Sequence, residues 1–308
     1  MKMVEPIAHP AVALRGTLRL NEPMAKHVTW RTGGVAARAY SPADTADLAA
    51  FLATLPAREP VCFVGLGSNL LVRDGGYRGT VVLIHNPGGA LRAEGDFIYA
   101  EAGTASPKVA RFAATRGFEG SEFLAGIPGT VGGALAMNAG CYGSETWDVV
   151  AKVAMISRTG KLIERKPDEF DIGYRHTELC RGKLGEDEWF AAAWFRFRPG
   201  DEKQARRRIK DLLARRIATQ PLELPNAGSV FRNPPGDHAA RLIEASGLKG
   251  RELGGARISE KHANFIVNPK GRARASDIEA LIALARDTVK RRFAIELIPE
   301  IRIVGEKA

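Results

Sequence analysis

Three stretches of the chain repeat apolar residues at helical spacing. In residues 41–55, SPADTADLAAFLATL, the stripe is Leu48, Phe51, Leu52 and Leu55. Ser41 is the expected cap there, with Pro42 at the first helical position and Asp44 complementing the dipole. In residues 201–220 the stripe is Ile209, Leu212, Leu213 and Ile217, and the many arginines fall on the outer face. Near the C-terminus Ile278, Leu281, Ile282, Ala285 and Val289 follow an expected capping box of Ser276 and Glu279. A further helix, SPKVARFAATRG, opens on Ser106 and Pro107 and stops at Gly117. Between these stand strand-like runs at 61–64, 80–84, 97–103 and 189–197, and VVAKVAMIS with KLIER reads as a hairpin around Arg158-Thr159-Gly160. Hairpins mixed with helices, without regular βαβ alternation, predict an α+β fold.

Composition narrows the class. With 45% hydrophobic and 26% charged residues over 308 positions, the chain is long enough for two or three globular domains. It has no run of eighteen apolar residues, and the N-terminus lacks a secretory pattern, so a cytoplasmic protein with no membrane attachment is expected. Cys62, Cys141 and Cys180 are widely spaced, and the six histidines lack ligand spacing, which predicts neither disulfides nor a metal. The net charge of +10 comes partly from the basic helix, and no nucleic-acid module or interleaved aromatics accompany it. An anionic small substrate or cofactor explains the charge better than nucleic acid, and no obligate protein partner is evident.

Two glycine-rich segments carry the candidate chemistry. VGLGSNLLVRD follows a strand, but Leu70 stands where a dinucleotide fingerprint needs its third glycine. Either a plain tight turn or an anion-binding concavity of bare N–H groups fits it. AGIPGTVGGALAMNAGCYG holds six glycines within 125–143 and almost no charge. It reads as a packed buried turn or as a backbone that a flat ligand approaches closely. Two such segments in one domain favour a nucleotide cofactor.

TWRTGGVA, VGLGSNLLVRD, GIPGTVGGALAMNAGCYG, GYRHTEL, NAGSVFRNP and PEIRIVG stand in this order between His27 and Gly305. In these motifs the chain resembles the UDP-N-acetylenolpyruvoylglucosamine reductase family. The resemblance implies an FAD-binding region of the vanillyl-alcohol-oxidase type, made of two α+β subdomains, and a smaller α+β substrate-binding domain. The expected bounds are 1–200 for the FAD region, with its subdomains meeting near 85–90, 201–220 for a connecting helix, and 221–308 for the substrate domain. The last strand is free to return to the first subdomain. The implied reaction uses NADPH and non-covalently bound FAD to reduce UDP-N-acetylglucosamine enolpyruvate to UDP-N-acetylmuramate, a peptidoglycan precursor.

The resemblance also assigns residues. Gly65, Gly67, Ser68, Asn69, Gly129, Thr130, Gly132, Gly133 and Asn138 fall in the FAD-contacting motifs. Arg175, Ser229 and Glu300 fall at the catalytic positions, and Asn233, Lys249 and His262 at substrate anchors. The chemistry needs these residue types. Hydride addition to the vinyl carbon leaves enolate-like charge beside a carboxylate, which a guanidinium fork and a carboxyl can meet while a hydroxyl returns a proton. Taken singly, Ser229 reads as a turn cap, Arg175 as a surface ion pair, Glu300 as a charged strand end and Lys249 as compensation of a helix dipole. With 53 residues between Arg175 and Ser229, the chain matches the subclass without a lid insertion. Leu179, where an aromatic is common, reads as a packing difference. A different flavin oxidase of the same fold, with the cofactor tethered through His or Cys, is the competing enzyme; a basic nucleic-acid-binding protein is the competing non-enzyme.

Overall fold

A computed structural model describes residues 13–308. Strands β1 (Thr17–Pro23), β2 (Val35–Ser41), β3 (Val61–Val64) and β5 (Tyr77–Leu83) form a sheet in the order β1-β2-β5-β3. Its β1 edge is antiparallel and its other pairs are parallel. Helix α1 (Thr45–Thr54) lays Leu48, Phe51 and Leu52 on this sheet, with Phe51 stacked on Tyr40 at 3.8 Å between ring centroids. The short β4 (Leu70–Val72) leaves the sheet after the first glycine-rich loop. Ser41 is the last residue of β2 and caps nothing. Asp44 caps α1 instead, its carboxylate accepting from the Asp47 N–H at 2.9 Å.

The next part carries a five-stranded antiparallel sheet. Its strands are β6 (Leu91–Glu94), β7 (Phe97–Glu101), β11 (Val150–Ser157), β12 (Leu162–Arg165) and β15 (Glu188–Phe195), in the order β12-β11-β15-β7-β6. Helices α2 (Ser106–Ala114) and α3 (Val131–Ala136) cover one face over an alanine-rich core, and Ile156 and Trp189 on the other face pack against α1. Two-residue strands β8 (Phe118–Glu119), β9 (Gly140–Cys141), β10 (Ser144–Glu145) and β16 (Arg198–Pro199), and the hairpin of β13 (Phe170–Gly173) with β14 (His176–Leu179), complete it. Leu179 is buried in this core. Ser106 lies within α2 rather than before it, and the helix start has no side-chain cap.

Helix α4 (Glu202–Thr219) leads to the C-terminal part. It buries Ala205 and Ile209 and packs Leu213 against the core, while Ile217, expected in the stripe, is 61% exposed. Helices α5 (Ala239–Ala245) and α6 (Ala275–Phe293) then flank a sheet of β17 (Glu252–Leu253), β18 (Ala256–Ile258) and β19 (Ile266–Val267), and β20 (Arg302–Val304) pairs in parallel with β4. The expected capping box at α6 is absent. The Asp74 carboxylate accepts from the Ala275 and Ser276 N–H groups at 2.9 Å each, and Glu279 pairs with Arg73. The start is served by two carboxylates outside the expected box: Asp277, which accepts from the Arg274 N–H at 2.9 Å, and Asp74 from a remote segment. No helix of the described residues is long and apolar enough to cross a membrane.

Candidate active site

All three parts meet at a cavity of about 740 Å³, within the usual range for ligand sites. Gly65, Gly67, Ser68, Asn69, Gly129, Thr130, Gly132, Gly133, Arg175, Ser229 and Glu300 all line it. Asn138, Asn233, Lys249 and His262 do not.

The first loop needs its glycines for the chain's own packing. Gly67 has φ +61°, and a Cβ there would stand 2.1 Å from the His27 carbonyl oxygen. A Cβ at Gly65 would strike Thr130 Oγ1 at 2.3 Å. Asn69 links this loop to the C-terminal part: its side-chain amide donates to the Glu300 carbonyl at 3.2 Å, and its own carbonyl accepts from the Arg302 N–H at 2.9 Å. The second loop is held by backbone bonds, with the Val131 and Gly132 N–H groups donating to the Thr104 and Ala102 carbonyls at 2.8 and 2.9 Å. Gly133 differs from Gly65 and Gly67. A Cβ there would meet nothing nearer than Thr130 Oγ1 at 3.8 Å, so the space above it is open to the cavity. Thr130 Oγ1 itself is buried and has no hydrogen-bond partner.

Arg175 stands in the turn between β13 and β14 with φ +55°, a backbone cost of about 1–3 kcal/mol for a non-glycine residue. Its Nε donates to Glu300 Oε1 at 2.8 Å, Nη2 to the Gly140 carbonyl at 2.9 Å and Nη1 to the Asn138 carbonyl at 3.4 Å. Burial pushes the Glu300 carboxyl up, and Arg175 and then Arg232 pull it part of the way back.

Ser229 is placed from both sides. Gly228 turns the chain with φ +75°, and its N–H donates to Asn226 Oδ1 at 2.9 Å, so the side-chain cap of this turn is Asn226. Beyond Ser229 the Val230 carbonyl accepts from the Glu300 N–H at 2.8 Å, which fixes the serine strap against the strand carrying the carboxyl. Asn264 locks the same strap through both side-chain atoms of its amide, Oδ1 accepting from the Phe231 N–H and Nδ2 donating to the Phe231 carbonyl.

Three of the residues outside the cavity, Asn138, Asn233 and Lys249, have other partners. The Asn138 amide donates to Glu145 and to the Gly173 carbonyl and accepts from the Trp147 N–H. Asn233 Oδ1 accepts from the Ala239 N–H at the start of α5, and Lys249 pairs with Glu244 in its last turn at 2.8 Å. His262 Nδ1 is buried without a partner, and burial holds that imidazole below its ordinary value.

Sequence reasoning missed Arg216. It lines the cavity and donates from Nε to Gln220 Oε1 at 2.8 Å, with no carboxylate partner among the described residues. Burial lowers its pKa. The signal was present: positions 209, 213 and 216 fall on one helical face, so the arginine continues the buried stripe that was extended to Ile217. Cys62 and Cys141 also line the cavity, and burial pushes both thiols up to about 11. Among the described residues no group of His, Cys, Asp and Glu is placed to hold a metal ion.

The arrangement suits a ligand that lies along bare backbone at one end and meets the Arg175 guanidinium at the other. Residues 36–165 match the model of an FAD binding domain, and residues 220–304 match that of the UDP-N-acetylenolpyruvoylglucosamine reductase C-terminal domain. UDP-N-acetylenolpyruvoylglucosamine reductase of Thiobacillus denitrificans is 54% identical, over 100% of this chain and 98% of its own. The enzyme of Nitrosospira multiformis is 56% identical over 96% of this chain and 90% of its own. The crystal structure of UDP-N-acetylenolpyruvylglucosamine reductase from Thermus caldophilus superposes with a TM-score of 0.77 at 31% identity, covering 94% of this chain and 98% of that one. With identity of this order running through both the cofactor-binding and the C-terminal parts, the chain belongs to the UDP-N-acetylenolpyruvoylglucosamine reductase family.

Proposed function

We infer that this enzyme reduces UDP-N-acetylglucosamine enolpyruvate to UDP-N-acetylmuramate with NADPH as donor, through non-covalently bound FAD, in peptidoglycan precursor synthesis. The observation that carries the reading is the convergence of Arg175, Glu300 and Ser229, from two distant parts of the chain, on one cavity. The cavity also fits FAD: Thr130 offers an orphaned buried hydroxyl, and the open space above Gly133 lets a flat ring approach the backbone. The raised thiols of Cys62 and Cys141 are poor nucleophiles for tethering a flavin, which supports release of the cofactor on denaturation. Free Cys62, Cys141 and Cys180 support the reducing cytoplasm as the compartment. We assign the cofactor to residues up to 200 and the sugar nucleotide to residues from 221 onward together with Arg175, with α4 between the two regions.

When bound, FAD supplies two-electron transfer between NADPH and the enolpyruvyl double bond. The remaining steps belong to side chains. A guanidinium has five N–H donors. Glu300, Gly140 and Asn138 engage three of those on Arg175, leaving two, the number a carboxylate takes in a bidentate pair. Arg175 therefore holds the substrate carboxylate and faces the charge that develops beside it. The Glu300 carboxyl, biased by burial toward its neutral form, shares that stabilisation by hydrogen bonding. Ser229 donates the proton to the α-carbon and is reprotonated from solvent.

The test is spectroscopic. The purified protein should show flavin absorption that bleaches under anaerobic NADPH and returns on adding the enolpyruvyl sugar nucleotide. Arg175→Lys keeps the charge but loses the fork, so bleaching should persist while recovery becomes much slower. A colourless folded protein, or recovery in Arg175→Lys at the parental rate, overturns the reading.

A further inference from the structure

The groups that hold Arg175 extend beyond Glu300. Glu145 Oε1 stands 3.7 Å from Arg175 Nη1, and the other Glu145 oxygen accepts from Asn138 Nδ2 at 2.7 Å. The Asn138 carbonyl in turn accepts from Arg175 Nη1. Glu145, Asn138 and Arg175 thus form a closed ring of contacts. The same Asn138 amide donates to the Gly173 carbonyl at 3.0 Å, two residues before Arg175 in the hairpin. One side chain therefore grips both the backbone leading into the arginine and the carboxylate beside its guanidinium. The carboxylate is itself stationed: Glu145 pairs with Gly140 across the β9–β10 hairpin, and the Gly140 carbonyl takes Arg175 Nη2. Asn138 has φ +39°, so the turn that presents this amide is an uncommon one.

We propose that Glu145, braced by Asn138, is a positioning residue that holds the Arg175 guanidinium where its two uncommitted donors meet the substrate carboxylate; this rests on the role given to Arg175 above. With Glu300 alone, a single bond at Nε would leave the long side chain other rotamers. Glu145 and the two carbonyls remove them. A plainer role is also open to Glu145, which begins the single helical turn Thr146–Val149, its N–H donating to Asp148 Oδ2 at 2.8 Å.

The experiment uses the flavin-loaded enzyme and Glu145→Ala, Glu145→Gln and Glu145→Asp. Calorimetry on the oxidised form, without NADPH, measures affinity for UDP-N-acetylglucosamine enolpyruvate; stopped flow measures the two half-reactions. Glu145→Ala should keep flavin reduction by NADPH within about twofold, bind the sugar nucleotide more weakly and slow reoxidation by up to about 10²-fold, the cost of ångström-scale misplacement. Glu145→Asp should recover part of the loss, and Glu145→Gln, which keeps the acceptor for Asn138 without the charge, should fall between. If Glu145→Ala only melts earlier, with affinity and both half-reactions intact, the residue serves the turn and the proposal is overturned. Arg175→Lys separates the two layers. If it reoxidises normally, the role of Arg175 fails and the positioning role falls with it; if it is crippled while Glu145→Ala is not, the positioning role alone falls.

Discussion

Removing the Ser229 hydroxyl should separate the two halves of the reaction. Ser229→Ala should load FAD and accept electrons from NADPH at a near-normal rate, because nothing in that step requires its hydroxyl. Reoxidation by the enolpyruvyl substrate should fall by about 10²–10⁴-fold, the usual contribution of a positioned general acid. Were the serine a turn cap, alanine would cost about 1 kcal/mol of stability and spare both half-reactions, yet Asn226 already caps that turn. Unimpaired reoxidation in stopped flow would remove Ser229 from the mechanism. The glycines differ in a way the sequence does not reveal. Gly133→Val places its side chain in open cavity space and should give a folded, colourless protein. Gly67→Val meets the His27 carbonyl at positive φ, so its first effect should be lost stability. Flavin titration with thermal melting of both variants checks the contrast; full occupancy in folded Gly133→Val would move the site elsewhere.

At the scale of elements, α6 depends on a partner far away in sequence. Asp74→Ala removes the acceptor of two amides at the helix start and should cost about 1–2 kcal/mol in denaturant unfolding. Its pH dependence has a definite sign. Burial raises the Asp74 carboxyl, but the bonds from Ser276 and Ala275 outweigh it and leave the value lowered; Glu279 is lowered chiefly by Arg73. A carboxyl depressed by folding contributes stability above its unfolded value, near 4 for such side chains, and loses it as pH falls through the folded value. The stability difference between parent and Asp74→Ala should therefore be constant near neutrality and shrink below about pH 4. A difference that grows on acidification would contradict this. The hairpin at Arg158-Thr159-Gly160 and strands β3, β7 and β15 were legible because turn chemistry and alternation are local. The contribution of Asp74 at the start of α6 was not, because that acceptor arrives from a segment remote in sequence, whereas the Asp44 and Asp201 caps of α1 and α4 are local.

For the whole molecule, the C-terminal part is not an independent body. Trp30 and Leu71, from the first part, lie in its core, and the Trp30 indole donates to the Ile266 carbonyl at 2.7 Å. Thr32 donates to the Ala273 carbonyl, and Asn268 donates back to the Trp30 carbonyl. A fragment of residues 221–308 should accordingly lack a cooperative thermal transition, although 221 is a natural boundary in sequence. In the full chain, Trp30→Ala should cost about 3–5 kcal/mol, as for other buried aromatics cut to alanine. A well-dispersed spectrum from the isolated fragment would overturn this view. The same couplings hold Ser229 and Glu300 in register with the two glycine-rich loops that line the cavity.

The sequence by itself determined the α+β class, the strands β3, β5, β7, β11, β12 and β15, and the motifs carrying Arg175, Ser229 and Glu300, since periodicity and turn residues are properties of short segments. Only the tertiary structure decided that Asn138 serves Glu145, Gly173 and Trp147 rather than the cavity wall, and that Asn233, Lys249 and His262 stand outside it. Each of those outcomes depends on which side chains from remote segments arrive to bury a charge or to satisfy an amide. Burial and hydrogen-bond satisfaction belong to neighbours in space, and spacing along the chain does not encode them.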